Sequence, residues 1–150
     1  MIIKVGSEKE MINFGAKLGA LLQGGEVIEL VGDIGAGKTT LAKGIACGLG
    51  IDENVQSPSF TISQMYDGRD NLRMVHYDFY RLDKAGIMLE DISEATKQPD
   101  TITVIEWGQI ISGILPGDRL TIVIKPTSDE SRQLSVESGG PISRRIEAKL

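Results

Sequence analysis

The sequence predicts an α/β fold: a three-layer sandwich of helices around a mixed sheet, with antiparallel hairpins added. Three observations predict it. Glu26 to Val31 reads as a short, mostly apolar strand that leads through a glycine-rich loop straight into a helical pattern at Leu41, Ala42, Ile45 and Leu49. Thr101 to Ile105 is a continuous β-branched run, the signature of a parallel strand buried on both faces. Residues 60–82 and 120–136 each hold two strand-like stretches around turn residues, as hairpins do.

Size and composition agree with that class. The chain has 150 residues, with 16 Lys and Arg against 21 Asp and Glu, a formal net charge of -5. This length favours one domain over residues 1–150. With 41% apolar and 25% charged residues the composition is that of an ordinary globular protein. The acidic balance argues against a protein that coats nucleic acid or an anionic membrane by bulk charge. A single cysteine, Cys47, excludes an internal disulfide framework and a multi-cysteine zinc site. As part of the helix after the glycine loop, it reads as a small buried apolar residue. The opening MIIKVGSEKE has no apolar h-region, and no apolar run is long enough to cross a bilayer, so a cytoplasmic location is expected. Glycine is the unusual entry, at 18 against 5 Pro.

The elements follow in order. Ile2 to Val5 is a strand candidate. Ser7 to Glu10 reads as a capping box, Ser7 as N-cap and Glu10 reaching back. A helix then runs to about Gln23, with Met11, Phe14, Leu18, Leu21 and Leu22 on one stripe, and Gly24-Gly25 stops it. The helix after Lys38 is closed by Gly50. Val55 to Ser59 is a polar loop, Phe60 to Tyr66 and Leu72 to Leu82 are strands, and Asp67 to Asn71 is turn chemistry between them. Residues 83–97 have helical character that Gly86 interrupts. Leu120 to Ile124 and Gln133 to Val136 are strands around the polar turn Pro126 to Ser131.

The loop Gly32-Asp33-Ile34-Gly35-Ala36-Gly37-Lys38-Thr39-Thr40 is a full Walker A match, preceded by a strand and followed by a helix as the motif requires. It makes the expected sandwich P-loop NTPase-like. Glycines let the backbone curl so that successive N–H groups converge on a phosphate. The helix N-terminus adds partial positive charge. Lys38 offers an ammonium to the β- and γ-phosphates, and the Thr39 hydroxyl can ligate Mg²⁺. Thr40 is placed either to contact the α-phosphate or simply to fill the first helical turn.

Such a site needs an acid beside the metal, usually at the end of a neighbouring buried strand. Glu106, ending the 101–105 run, is the favoured metal-side acid, directly or through water. Asp78 is favoured to orient or activate the attacking water, or to sense the γ-phosphate. Strand period two puts His76, Asp78 and Tyr80 on one face and Tyr77 and Phe79 on the other. Each has a plainer reading: Glu106 and Asp78 as solvated strand positions, His76 as a structural histidine, Arg81 as a surface arginine instead of a transition-state cation. Trp107 reads as core, or as a reporter of nucleotide state beside Glu106. Ser57-Pro58-Ser59 lies where many P-loop proteins keep a switch loop, and an ordinary Pro turn is the alternative. No Asn-Lys-x-Asp stretch favours guanine, and no arginine-rich lid insertion is present.

The Walker A block, then Ser57-Pro58-Ser59-Phe60, then His76-x-Asp78-x-Tyr80-Arg81-Leu82, then Val104-Ile105-Glu106-Trp107, together resemble the TsaE family, bacterial P-loop ATPases of tRNA threonylcarbamoyladenosine biosynthesis. The resemblance covers nearly the whole chain. It implies an ATPase that uses ATP, ADP and Mg²⁺ and resets a complex of TsaB and TsaD, with tRNA reached only through those partners. It implies that Thr39 and Glu106 hold Mg²⁺, that Asp78 is needed for activity, and that Glu8, Ser131 and Arg132 lie near the base. The chain departs from the family pattern at Ser59 (usually Thr), at Gly108 (often Pro or Ala) and over 84–97. Two other functions share the same loop: a small-molecule kinase with Asp78 as base, and a nucleotide-dependent regulatory module without turnover.

Overall fold

A computed structural model of the chain describes residues 1–56, 58, 63–80, 85–111 and 113–150, with the side chains of 85–88 and 110 excepted. Among the described residues seven strands and four helices follow one another. They are β1 (Ile2–Val5), α1 (Glu8–Leu21), β2 (Val27–Val31), α2 (Lys38–Gly48), β3 (Ser63–Asp67), β4 (Arg73–Asp78), α3 (Ala85–Ala95), β5 (Thr101–Glu106), β6 (Leu120–Pro126), β7 (Arg132–Ser138) and α4 (Pro141–Glu147). Short 3₁₀ turns occupy Arg69–Asn71 and Gly108–Ile111.

All seven strands form one mixed sheet in the order β1-β7-β6-β2-β5-β4-β3. Its middle is parallel: β2 pairs with β5 and β6, and β5 with β4. Both margins are antiparallel, through β3–β4 on one side and β6–β7–β1 on the other. The loop-bearing strand β2 and the central strand β5 therefore lie side by side. Parallel strands bury both faces, and β5 shows it: every residue from Thr101 to Glu106 is buried.

Two cores flank the sheet. One holds Leu18, Leu22, Ile28, Leu30, Leu41, Ile45, Ile102 and Val104 and seats α1 and α2. The other holds Val27, Val75, Tyr77, Phe79, Ile92 and Ile105 under α3, with the Tyr77 and Phe79 rings stacked at 5.7 Å. Helices on both faces complete the three layers.

Helix α1 is capped as the sequence predicts, with Ser7 Oγ accepting from Glu10 N at 3.2 Å. Glu10 reaches back one residue further than the simple box, to the N–H of Gly6 at 2.6 Å. The stripe on α1 differs from its hydrophobic reading in one respect. Gly15 and Gly19 face Gly44 and Gly48 of α2, so the two backbones nearly touch. A Cβ on Gly15 would lie 2.8 Å from Leu41 O and from Gly44 Cα, and one on Gly44 would lie 2.5 Å from Ile12 O. Two Gly-x-x-x-Gly spacings thus account for four of the glycines that composition flagged. The guanidinium of Arg69 then closes the far ends of both helices. It donates to Gly19 O, Ala20 O and Leu22 O at 3.0–3.1 Å and to Gly48 O at 3.3 Å.

Several expectations are corrected. Cys47 is exposed, because its position on α2 faces away from both α1 and the sheet. The second strand of the hairpin ends at Asp78, so Phe79 and Tyr80, expected within it, follow after its end, while 81 and 82 and the expected strand start at 60–62 lie outside the described residues. Glu26 precedes β2 and is buried there, accepting from Gln23 N, Gly24 N and Arg145 Nη2 at 2.7–3.3 Å. Helix α4 was not anticipated, although Pro141 at its first position is a start signal. Its N-terminus is capped by Asp118, which accepts from Ile142 N and Ser143 N at 2.8 and 2.9 Å. Among the described residues no helix is long and apolar enough to cross a membrane.

Candidate nucleotide-binding site

The candidate residues gather at the carboxyl ends of adjacent parallel strands, where ligands of open α/β sheets bind. Strand register brings them there. Asp78, last in β4, pairs with Glu106, last in β5, and Glu106 pairs with Leu30 of β2, just before the loop. Period two then aims Asp78 and Glu106 at the α2 side of the sheet.

The loop itself has the conformation that glycine permits. Gly35 and Gly37 have φ of +79° and +114°, and Gly37 is the N-cap of α2. Alternation of right- and left-handed backbone is what turns consecutive N–H groups inward for an anion. Gly32 meets a different demand: a Cβ there would lie 2.9 Å from Ile124 O, so the loop could not rest on β6.

Lys38 is buried, and its ammonium is fully engaged. Nζ donates to Gly32 O at 2.6 Å and to Asp33 O at 2.9 Å, and it lies 4.3 Å from the centre of the Trp107 ring. Burial pulls its pKa below the usual lysine value, against the opposing pull of Glu106, Asp78 and Asp33. Trp107 is half-buried, packed against the second core, and its φ of +59° is rare for a bulky residue. Backbone held there costs about 1–3 kcal/mol and clusters at functional sites. Its ring also packs against Tyr80 at 5.1 Å. Gly108 follows because a Cβ there would lie 2.9 Å from the buried Glu29 carboxylate, itself bonded to Arg119 Nε at 3.1 Å.

A cavity of about 370 Å³ is lined by Lys38, Thr39, Thr40, Asp78, Tyr80, Glu106 and Trp107 together with loop residues Ile34, Gly35 and Gly37. Asp78 Oδ1 accepts from Tyr80 N at 3.0 Å. Glu106 is buried, and its Oε2 lies 2.7 Å from Nε2 of His76, which is fully buried. So His76 faces a carboxylate inside the molecule instead of lying on a wet hairpin face. A second cavity, of about 450 Å³, continues past Gly35, Ala36, Gly37 and Thr40 to Glu8, Asp129, Glu130 and Arg132. Arg132 fastens this end. Its Nε donates to Ala36 O at 2.9 Å, and Nη1 donates to Ser128 O, Asp129 O and Ser131 O at 2.9–3.3 Å. Ser131 sits in that turn, bonded through its N–H to Ser128 Oγ. Pro58 is buried. Ser57, Ser59 and Arg81 lie outside the described residues.

Sequence reasoning missed Ser7, Lys9 and Met11 at the second cavity, and Ile34 at the first. The glycine spacings on α1 and α2 were the available signal, since that contact carries the start of α1 to the loop. Among the described residues no three His, Cys, Asp or Glu form a metal cluster. The donors that line this one cavity, the Thr39 hydroxyl and the Asp78 and Glu106 carboxylates, are hard oxygens that suit Mg²⁺, an ion usually held by one or two carboxylates alongside substrate phosphates. The formal charges, Lys38 against Asp33, Asp78 and Glu106, are net negative, so a polyphosphate entering here would need a cation with it.

Comparison with known proteins bears on the same residues. The chain is 37% identical over 134 residues to the tRNA threonylcarbamoyladenosine biosynthesis protein TsaE of Treponema pallidum, covering 87% of this chain and 95% of that one. It is 41% identical over 123 residues to the TsaE protein of Bacillus subtilis, covering 81% and 75%. The crystal structure of Bacillus subtilis YdiB superposes with a TM-score of 0.80 at 32% identity, over 99% of this chain and 92% of that one. The family model described as threonylcarbamoyl adenosine biosynthesis protein TsaE matches residues 5–134, a span that begins at the strand before Glu8 and ends just past Arg132. With both cavities inside that span, and with fold and sequence in agreement, the chain belongs to the TsaE family.

Proposed function

We propose that this TsaE protein serves tRNA threonylcarbamoyladenosine biosynthesis as its ATPase, with residues 1–150 acting as one P-loop domain in the cytoplasm. One observation carries the reading: Lys38, Thr39, Asp78 and Glu106, from three separate segments, line one cavity beside a Walker A loop. In this reading the backbone N–H groups of Asp33 to Thr39 cradle the phosphates of ATP. Lys38 leaves its carbonyl partners and the Trp107 face to reach the β- and γ-phosphates. Thr39 and Glu106 hold Mg²⁺, and Mg²⁺ supplies charge neutralisation on the phosphate oxygens. Asp78 orients the attacking water or registers the γ-phosphate. Glu8, Ser131 and Arg132 border the base, and Thr40 stands at the α-phosphate. The cavity is open on the Ile34 and Tyr80 side, so hydrolysis by the chain alone is slow and partners raise it. Those partners are TsaB and TsaD homologues, and the net charge of -5 leaves tRNA contact to them.

The test is phosphate release from ATP by the purified chain, alone and with TsaB and TsaD homologues. We expect weak turnover alone and stimulation by the pair. Lys38→Ala should lower turnover on the order of 10²–10³-fold, as loss of a preorganised electrostatic group does, and Glu106→Ala should lower turnover and raise the Mg²⁺ it needs. No binding of ATP or ADP with Mg²⁺ would refute the reading.

A further inference from the structure

His76 has no direct place in the chemistry above, yet it occupies one of the most protected positions in the molecule. It is fully buried in the middle of β4, on the face that carries Asp78. Its Nε2 lies 2.7 Å from Glu106 Oε2, and its Nδ1 is buried and has no hydrogen-bond partner among the described residues. An unpaired buried ring nitrogen is unfavourable, and an apolar residue here would avoid it. The bond to Glu106 is what the ring gains in exchange. Glu106 is itself buried, and a buried carboxylate needs a donor to fix it.

We propose that His76 is a positioning residue for the metal-side acid. With Glu106 accepting, Nε2 carries the proton, and the bond fixes one carboxylate oxygen. The other oxygen is thereby presented to the cavity shared with Thr39 and Lys38. The pairing crosses strands diagonally, since His76 is in register with Val104 and Asp78 with Glu106. The carboxylate is therefore tied back toward the middle of the sheet and cannot swing to Lys38 or out to solvent. This is the arrangement by which outer partners orient metal-binding carboxylates. The inference rests on the ATPase reading and deepens it, naming the group that sets the geometry of its metal acid.

The two amides that mimic the two ring nitrogens provide the test. In His76→Gln the side-chain N–H falls near Nε2, and in His76→Asn near Nδ1. ADP affinity is measured by calorimetry in EDTA and across a Mg²⁺ titration, and Mn²⁺ binding to the ADP complex is followed by electron paramagnetic resonance. We expect His76→Asn to need roughly ten-fold or more Mg²⁺, the usual loss for an outer-partner change. Its ADP affinity in EDTA should equal that of the unsubstituted chain, and His76→Gln should recover most of the metal affinity. In a Glu106→Gln background the His76→Asn change should add nothing. An unchanged Mg²⁺ requirement in His76→Asn overturns the proposal. So does a His76→Gln variant as impaired as His76→Asn, or an equal loss of ADP affinity with and without metal. Should His76→Asn not fold, His76→Met takes its place under the same criteria. Failure of the unsubstituted chain to bind ADP at all instead overturns the ATPase reading, and this inference with it.

Discussion

The two faces of the sheet are built on different principles. On the α1–α2 face the helices meet backbone to backbone at Gly15, Gly19, Gly44 and Gly48, and one arginine, Arg69, ties off both C-termini. On the α3 face the contact is made by large side chains, Tyr77, Phe79 and Ile92. Among the described residues, Lys38, Thr39, Asp78 and Glu106, which line the candidate nucleotide cavity, belong to the first face. The difference teaches where precision is kept. A backbone contact leaves no rotamer to adjust, so the start of α1 and the phosphate loop form one rigid unit. A side-chain core can relax around a lost group.

The sharpest way to break this comparison is to damage each face once. Ile92→Ala should cost about 2–4 kcal/mol by opening a cavity under α3, seen as a fall in the denaturant midpoint. Nucleotide affinity should hardly change. Gly44→Ala should cost less, about 1–3 kcal/mol from overpacking, yet weaken ADP binding, because the added carbon pushes α1 and Glu8 away from the loop. If Ile92→Ala impairs ADP binding more than Gly44→Ala, the division of labour is wrong. Arg69→Ala tests the far end of the same helix pair. It leaves several helix-terminal carbonyls without their cation and should cost about 1–2 kcal/mol, measured by thermal unfolding.

The smallest effect lies at the margin of the sheet. At Asp118 burial works to raise the carboxyl pKa, but hydrogen bonds from Ser143 and Ile142 and the charge of Arg144 outweigh it and hold the group below its ordinary value. A depressed folded pKa gives stability that is present above the unfolded value and lost as pH falls through the folded one. Asp118→Ala should therefore cost about 1 kcal/mol near neutral pH, as loss of an N-cap does. The gap from the unsubstituted chain should close below about pH 3.8, the ordinary aspartate value, as acid removes the charge. A gap independent of pH would mean that the cap acts through shape alone.

Much of this was legible in residue order. The loop, its flanking strand and helix, and the central 101–106 strand follow from local periodicity and from residue types whose conformations are narrow. Glu106 was accessible because it ends a recognisable strand, and Asp78 because strand period two puts it on one face with His76 and Tyr80. Arg132 was reachable only through resemblance. Its role depends on a turn folding back onto Ala36, 96 positions away along the chain. The exposure of Cys47 is not legible, because periodicity gives the faces of a helix but not which of them its neighbours cover.

By itself the sequence determined the conformations. Glycine at 35 and 37 permits positive φ, β-branching at 101–105 favours strand, and Ser7 caps a helix; these are properties of single residues and short windows. Only the tertiary structure decided the juxtapositions. Sheet register set Asp78 beside Glu106, drew Glu106 onto His76, and laid Trp107 under Lys38. The reason is that each of these contacts joins residues far apart in the chain. Its energy depends on which strands pair and in what register, and no local pattern encodes that choice.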